Sequence, residues 1–287
     1  MATTKSKNPL GDDPTRTLTI RRKAVAEIKR KYTEIKRLIN QSVVTNKIFT
    51  NVDPLQKSDF VFLRSDEKLQ EFDRWLQTAI NQIILTGNVN PRSPQLNWML
   101  QYFLEGYERG AKKGNTQLAR FLGRNKIPVT TSVLQNPFHI DKLQLLFSRD
   151  FTQLKGITEA MSQQINYVLS EGLLEGLGSK KIAKNINDRV DKIGITRSNL
   201  LARTEIINTF NLAVINEGNY ISSIIDEQIV YEWVDSGDSR VRPTHVLRDG
   251  KYYTSQKVSE LIGEPNCRCT VVATPISFVP DGKTVIR

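Results

Sequence analysis

The chain has 287 residues, 39% of them hydrophobic and 25% charged, with a formal net charge of +11. These values exclude wholesale disorder, allow a sizeable core without disulfides and suggest about two domains at roughly 100–200 residues each. No apolar run approaches the roughly 20 residues that span a bilayer, and the charge excess points to a polyanionic partner, nucleic acid or an acidic protein surface.

Residues 1–17, "MATTKSKNPLGDDPTRT", are polar with Pro9 and Pro14. They read as a flexible arm, and without an apolar h-region no signal peptide is expected. Over 18–42 the apolar positions Ile20, Ala24, Ile28, Tyr32, Ile35 and Ile39 recur in steps of three and four, which predicts an amphipathic helix. Its other face is basic: between Arg16 and Lys47 stand ten Lys/Arg against Glu27 and Glu34. Arg21, Arg22, Lys23, Lys29, Arg30, Lys31, Lys36 and Arg37 are therefore the candidate contacts to DNA phosphates or an acidic partner, with a merely solvated face as the alternative.

"RSDEKLQEFDRWLQTAINQIIL" predicts a second helix, with Leu69, Phe72, Trp75, Leu76, Ala79, Ile80, Ile83 and Ile84 on one stripe, a cap at Ser65 or Asp66 and a stop at Gly87. "NPRSPQLNWMLQYFLEGYERGAKKG" predicts a third, opened by Ser93 and Pro94, with Leu96, Leu100, Phe103, Leu104 and Tyr107 facing a core. Pro128 and Pro137 interrupt the pattern, so 128–149 is expected to be a linker and its His139 a capping or surface residue. Three more helices follow: a long one with Leu154, Ile157, Met161, Ile165, Val168 and Leu169 inward, one capped by Ser179, and one from the Thr196 cap to a stop at Gly218. The period then falls to two. "QIVYEWV", "KYYT" and "RCTVVATP" are strand candidates, with Asp249-Gly250 as a hairpin turn between "HVLR" and "KYYT". The expected fold is α+β: a mainly helical N-terminal two-thirds, then a small antiparallel sheet with long turns.

Three of the chain's four Cys and His residues lie within "GDSRVRPTHVLRDG" and "EPNCRC". Cys267 and Cys269 are too close in sequence for an unstrained bridge, so both are read as reduced thiols, in keeping with a cytoplasmic setting. Upstream, Arg203 and Glu205 flank Thr204 inside an apolar helix, where residues two apart do not face each other, so each needs a partner elsewhere.

The order of these pieces resembles the phage head morphogenesis family, the Mu F-like minor head proteins. The matching features are Gly178, Ser179, Ile182, Ala183 and Ile186; "ARTE" followed by an N…G; Trp233 with Asp238, Arg240, Arg242, His245, Asp249 and Gly250; and "PNCRC" with Asn266, Cys267, Arg268 and Cys269. The resemblance covers roughly 150–273. It sets the expected organisation: arm 1–17, helical domain 18–127, linker 128–149, head-morphogenesis domain 150–275 and tail 276–287. In the family the turn segment carries Cys-Pro-x-Cys and a His precedes "NCRC", which implies a zinc knuckle. This chain has Arg242 at the first Cys position, His245 at the second and Glu264 before Pro265. His245, Cys267 and Cys269 remain as soft ligands, and a structural zinc would need Asp235 or Asp238 as a fourth. The favoured reading needs no cofactor. In it Asp238, Arg240 and Arg242 bond to turn carbonyls and to Arg203 and Glu205, while the thiols face inward from a strand and Arg268 faces out.

The resemblance implies a structural minor head protein of a tailed bacteriophage or prophage. It would sit in the virion inside the capsid, reached from the host cytoplasm during assembly, and contact the portal protein, with scaffold or major capsid protein as further partners. It would aid head assembly and DNA packaging or ejection, touching double-stranded DNA without sequence specificity and no membrane. The alternative is a capsid-delivered enzyme, a transferase or nuclease using Arg203, Glu205 and His245. With no nucleophile elbow and no Walker-type loop in the sequence, a non-enzyme is expected.

Overall fold

A computed structural model of the chain describes residues 13–45, 66–86, 97–128 and 132–287. Residues 1–12, the expected cap at Ser65 or the Asp66 side chain, the Gly87 stop, and the Ser93, Pro94 and Leu96 positions lie outside the described residues. The chain forms two compact units that do not follow chain order. One comprises 1–24, 88–150 and 202–287; the other comprises 25–87 and 151–201.

Eight α-helices and four strands are found among the described residues. Helices α1 (Leu18–Asn40), α2 (Asp66–Ile80), α3 (Trp98–Leu122), α4 (Pro137–Leu174), α5 (Ser179–Arg189) and α6 (Thr196–Ile225) precede a region of strands β1 (Ile229–Val234), β2 (Tyr252–Tyr253), β3 (Thr270–Pro275) and β4 (Val285–Ile286). Short helices α7 (Pro243–Val246) and α8 (Ser255–Leu261) lie between the strands. The mainly helical α+β class is therefore as expected. No helix among the described residues is long and apolar enough to cross a membrane.

In the second unit the apolar stripe of α1 is buried as its spacing requires: Ile28, Tyr32, Ile35 and Ile39 are all 1% exposed or less. Tyr32 Oη lies 2.8 Å from Ser198 Oγ. A Cβ on Gly194 would fall 2.3 Å from the Tyr32 ring, so the site tolerates no side chain. Helices α1, α2 and α5 each pass into a short π-helical stretch, at Gln41–Thr45, Asn81–Leu85 and Val190–Ile195.

The first unit is built on close contact between α3 and α6. Gly106, Gly110 and Gly114 repeat every four residues and so share one face of α3. That face meets the α6 backbone at Ile206, Phe210 and Val214: a Cβ on Gly110 would fall 2.2 Å from the Phe210 carbonyl oxygen. The sheet has order β3-β1-β2-β4. Strand β1 is central and antiparallel to both neighbours, with Tyr231 opposite Ala273 and Tyr253. Strand β4 pairs in parallel with β2, so the sheet is mixed rather than purely antiparallel. It lies in the expected tail, and two residues are too few to show a period. Trp233, Tyr231, Val271, Cys267 and Cys269 join Phe210, Val214 and Leu118 in one core.

Several local expectations are corrected. Helix α3 starts at Trp98 behind an Asn97 cap, whose side chain accepts from Met99 N at 2.9 Å. Gly178, not Ser179, is the cap of α5, and Thr196 has helical backbone angles with no capping role. Gly218 does not stop α6; it is the point where Tyr231 Oη packs, 2.4 Å from where a Cβ would stand. "HVLR" is not a strand. Pro243 opens the one-turn helix α7, and Asp249-Gly250 turns the chain from it into β2. Residues 13–17 are not a loose arm: Asp13 Oδ2 accepts from Leu18 N at 2.8 Å and caps α1, with Thr15 and Thr17 buried beside it.

His139 is the largest departure. It is fully buried, and it sits at the start of α4 within the stretch expected to be a linker. Its Nε2 lies 2.9 Å from Glu217 Oε2 and its Nδ1 3.0 Å from Tyr107 Oη. Asn216 Nδ2 donates to the same Tyr107 oxygen at 3.1 Å. Glu217 is an acceptor, so the network assigns the proton to Nε2, and Tyr107 then donates to Nδ1.

Candidate functional site: a thiol–imidazole knot and its ion pairs

The "PNCRC" segment reaches the sheet through a tight turn. Asn266 takes a left-handed φ of 58°, and Cys267 N donates to Glu264 O at 3.0 Å. Asn266 N donates to Thr204 Oγ1 at 3.2 Å. Asn211 of α6 binds the Cys269 carbonyl at 2.9 Å and accepts from Thr270 Oγ1 at 2.8 Å. Extended backbone then sends Cys267 and Cys269 inward, 6% and 1% exposed, while Arg268 faces the turn. The alternation is as expected, although the cysteines precede β3 rather than belonging to it.

Helix α7 delivers His245 onto the thiols. Its imidazole is 2% exposed, edge-on to Trp233 with ring centroids 5.5 Å apart. Nδ1 lies 3.4 Å from both Cys267 Sγ and Cys269 Sγ. Nε2 lies 3.1 Å from Glu264 Oε1, close enough for charge attraction but off the line of a hydrogen bond. Arg242 Nη1 and Arg248 Nη1 hold the same carboxylate at 3.1 and 3.4 Å. The Cys267 thiol is lowered to about 6, because the Cys269 side chain and backbone N–H hydrogen-bond to its sulfur and His245 adds positive charge. The same contact pushes the Cys269 thiol upward.

Two soft sulfurs and one imidazole nitrogen within 4.8 Å of one another form a donor set that suits zinc. With Zn–S of about 2.3 Å and Zn–N of about 2.0–2.1 Å, a tetrahedral S···N edge is about 3.6 Å, near the observed 3.4 Å. The three residues thus fit three corners. Asp235 and Asp238 do not join the cluster among the described residues. Asp235 Oδ1 accepts from Gly237 N at 2.6 Å. Asp238 takes a two-pronged bond from Arg268, at 2.5 and 2.7 Å, and one from Arg240 at 3.0 Å. Arg268 holds its carboxyl well below the usual carboxylate range.

The ion pairs within the turns follow expectation: Asp238 with Arg240, and Arg242 with the Pro265 carbonyl at 2.6 Å. The pairing of these turns with Arg203 and Glu205 does not. Glu205 faces α4, where Arg149 Nη2 reaches it at 2.5 Å and Asp150 at 2.9 Å. Arg203, two residues away on the helix, points elsewhere and is exposed. Thr204, between them, is the residue that grips the thiol turn. Asp249 Oδ1 accepts from Asp235 N at 2.9 Å, and Gly250 N donates to Trp233 O at 2.8 Å, closing the loop onto β1. Sequence reasoning missed Arg149 and Asp150. Asp150 is 1% exposed, and burial beside Glu205 raises its carboxyl to about 8. The run Arg149-Asp150 in an apolar helix was the available signal.

On α1, Arg22, Lys23, Lys29, Arg30 and Arg37 are exposed and Lys31 is half-buried. Arg21 is held by Asp13 at 2.6 Å and Lys36 by Asp191 at 2.7 Å, while Arg30 pairs with Glu27.

Comparison with known proteins matches residues 163–272 to the family described as Phage Mu protein F like protein. An uncharacterized protein of Methanocaldococcus jannaschii, MJ0329, is 32% identical over 122 residues, 42% of this chain. The chain spans only 18% of that relative's length. No solved structure matches. The match begins in α4 and ends in β3, so it takes in the thiol–imidazole knot and the α6 residues that grip it. Over residues 163–272, somewhat more than a third of its length, the chain is similar to the Phage Mu protein F like family, and this similarity supports a phage head morphogenesis assignment.

Proposed function

We propose that the chain is a structural minor head protein of a tailed phage, bound inside the capsid near the portal. There it assists head assembly and DNA packaging or release and contacts DNA without reading sequence. The observation that carries this is the union of a Phage Mu protein F like segment with a net charge of +11. Exposed Lys and Arg bind phosphates through counterion release, which is indifferent to base sequence. The knot supplies a rigid docking module: Cys267, His245 and Glu264 stand in the order of a nucleophile, a base and an acid, but the thiol and the imidazole are buried, 6% and 2% exposed, where a substrate has no access. The alternative transferase or nuclease lacks support in the geometry. Glu205 is committed to Arg149, His245 faces the thiols and Arg203 is exposed. Co-purification with a co-expressed tailed-phage portal protein tests the reading. Stable retention of the portal, with duplex DNA binding that weakens steeply with salt, supports it; absence of both refutes it.

A second reading concerns the knot alone. The S···N distances favour a zinc-stapled form, in which His245 Nδ1, Cys267 and Cys269 would be ligands. Bound there, zinc would supply cross-linking of the turns rather than chemistry. Glu264, held by Arg242 and Arg248, would orient the imidazole from behind. One zinc per chain by mass spectrometry, lost in Cys267→Ser, supports this form; metal-free protein with an unchanged melting temperature under chelation excludes it.

A further inference from the structure

Helix α3 carries a second cationic surface, separate from the basic face of α1. From Arg109 to Lys126 the chain has six cations, Arg109, Lys112, Lys113, Arg120, Arg124 and Lys126, and no acid. Three of them, Lys112, Arg120 and Arg124, line an open cleft of about 490 Å³ together with Asn115, Thr116 and Ile127. All three are exposed, and none forms an ion pair among the described residues. The crowding is electrostatically costly: burial, then Arg16 and Arg120, press the Lys113 ammonium toward its neutral form. Cations at a helix C-terminus can serve the macrodipole, but that effect is confined to the last turn. Arg120 lies there, whereas Lys112 and Lys113 lie about two turns earlier.

The floor of the cleft is fixed. Asn115 Nδ2 donates to the Pro128 carbonyl and to Glu217 Oε1, each at 2.8 Å. Glu217, which Asn115 reaches, has both its oxygens occupied, by Asn115 and by His139. Lys112 and Arg120 are eight residues apart, about 12 Å along the helix. Duplex DNA presents a phosphate every 3.4 Å of axis per strand, a spacing finer than this row, so each of the three cations can meet a phosphate of its own.

We propose that the Lys112–Arg120–Arg124 cleft is the seat of the duplex DNA backbone. The inference rests on the DNA contact proposed above and moves its principal site from α1 to α3. The partner is recognised by phosphate charge alone, since the cleft offers no row of side chains suited to base edges.

The test is a salt titration of binding to a mixed-sequence duplex, using full-length protein. The variants are Lys112→Gln/Arg120→Gln/Arg124→Gln and, separately, Lys23→Gln/Lys29→Gln/Arg37→Gln, all at exposed positions. Circular dichroism confirms that each folds. Loss of three phosphate contacts should lower the slope of log K against log salt by about 2.7, from about 0.9 per contact. The expected result is that drop in the α3 variant and a smaller one in the α1 variant. An unchanged slope in the α3 variant overturns the inference while leaving DNA binding intact. Absence of duplex binding by the parent protein overturns both, and would leave an acidic protein as the partner of the charge.

Discussion

The Asp150 carboxyl should make the protein less stable as pH rises through neutrality. Asp150 is 1% exposed and its Oδ2 finds no hydrogen-bond partner among the described residues. Glu205, itself buried, competes for the shared Arg149, and that arginine is 40% exposed and so partly screened. Burial first and Glu205 second raise the Asp150 carboxyl from 3.8 to about 8. The folded chain therefore holds a proton that the unfolded chain has released. Its contribution to stability is present in full below about pH 4 and is lost as pH climbs through 8. Inside that window one extra bound proton corresponds to about 1.4 kcal/mol per pH unit, so about 2.7 kcal/mol between pH 5 and pH 7 as an upper figure. Asp150→Asn keeps the shape and removes the titration. Urea unfolding of parent and variant across that range isolates the group from every other acid in the chain. The variant should gain on the parent as pH rises. A stability difference that is flat with pH, or that shrinks, would refute the reasoning and show that Arg149 keeps Asp150 ionised.

His139→Ala should cost about 1–3 kcal/mol in chemical denaturation, because it removes one of the donors that hold the buried Glu217 carboxylate and leaves Asn115 as the other; an unchanged stability would mean that water replaces the imidazole. Gly110→Ala should destabilise by about 1–3 kcal/mol or more, since the new methyl meets a backbone carbonyl and not a flexible side chain; an unchanged melting temperature would contradict the close α3–α6 contact. Arg268→Ala should cost about 1.5–3 kcal/mol through the two bonds to Asp238, and the loss should vanish in an Asp238→Ala background.

The period of apolar residues made the helices legible. Every position of the α1 stripe is buried, because a single buried face needs only the right spacing. Strand β1 was legible for the same reason at period two. Helix ends were not, because the π-helical stretch Val190–Ile195 and Gly218 carry the helical path through places where local signals suggest a stop. Gly218 looked like punctuation but serves Tyr231, a residue of the following strand. His139 looked like a loop residue because both its partners, Tyr107 and Glu217, are remote in sequence. The thiol–imidazole cluster was visible as a set of residue types. Its partner at Glu264 was not, since a carboxylate before proline carries no pattern of its own.

These misreadings share a cause that bears on how the knot works. The region after β1 holds only two- and six-residue strands and two short helices, too little regular structure to fix its own turns. Its geometry is imposed from α6, where Thr204, Asn208 and Asn211 stand on one side of the helix at steps of four and three. Thr204 anchors the Asn266 turn and Asn211 binds the Cys269 carbonyl and the Thr270 hydroxyl. At Gly263 a Cβ would lie 2.5 Å from Asn208 Oδ1, so that turn also rests against the helix. Helix α6 is in turn held against α3 by the glycine face, and α3 also bears Lys112 and Arg120. One rigid pair of helices thus sets both the thiol turn and the cationic cleft. A perturbation that loosens the pair, Gly110→Ala foremost, should degrade DNA affinity and raise the reactivity of Cys267 together, whereas charge removal at the cleft should change affinity alone.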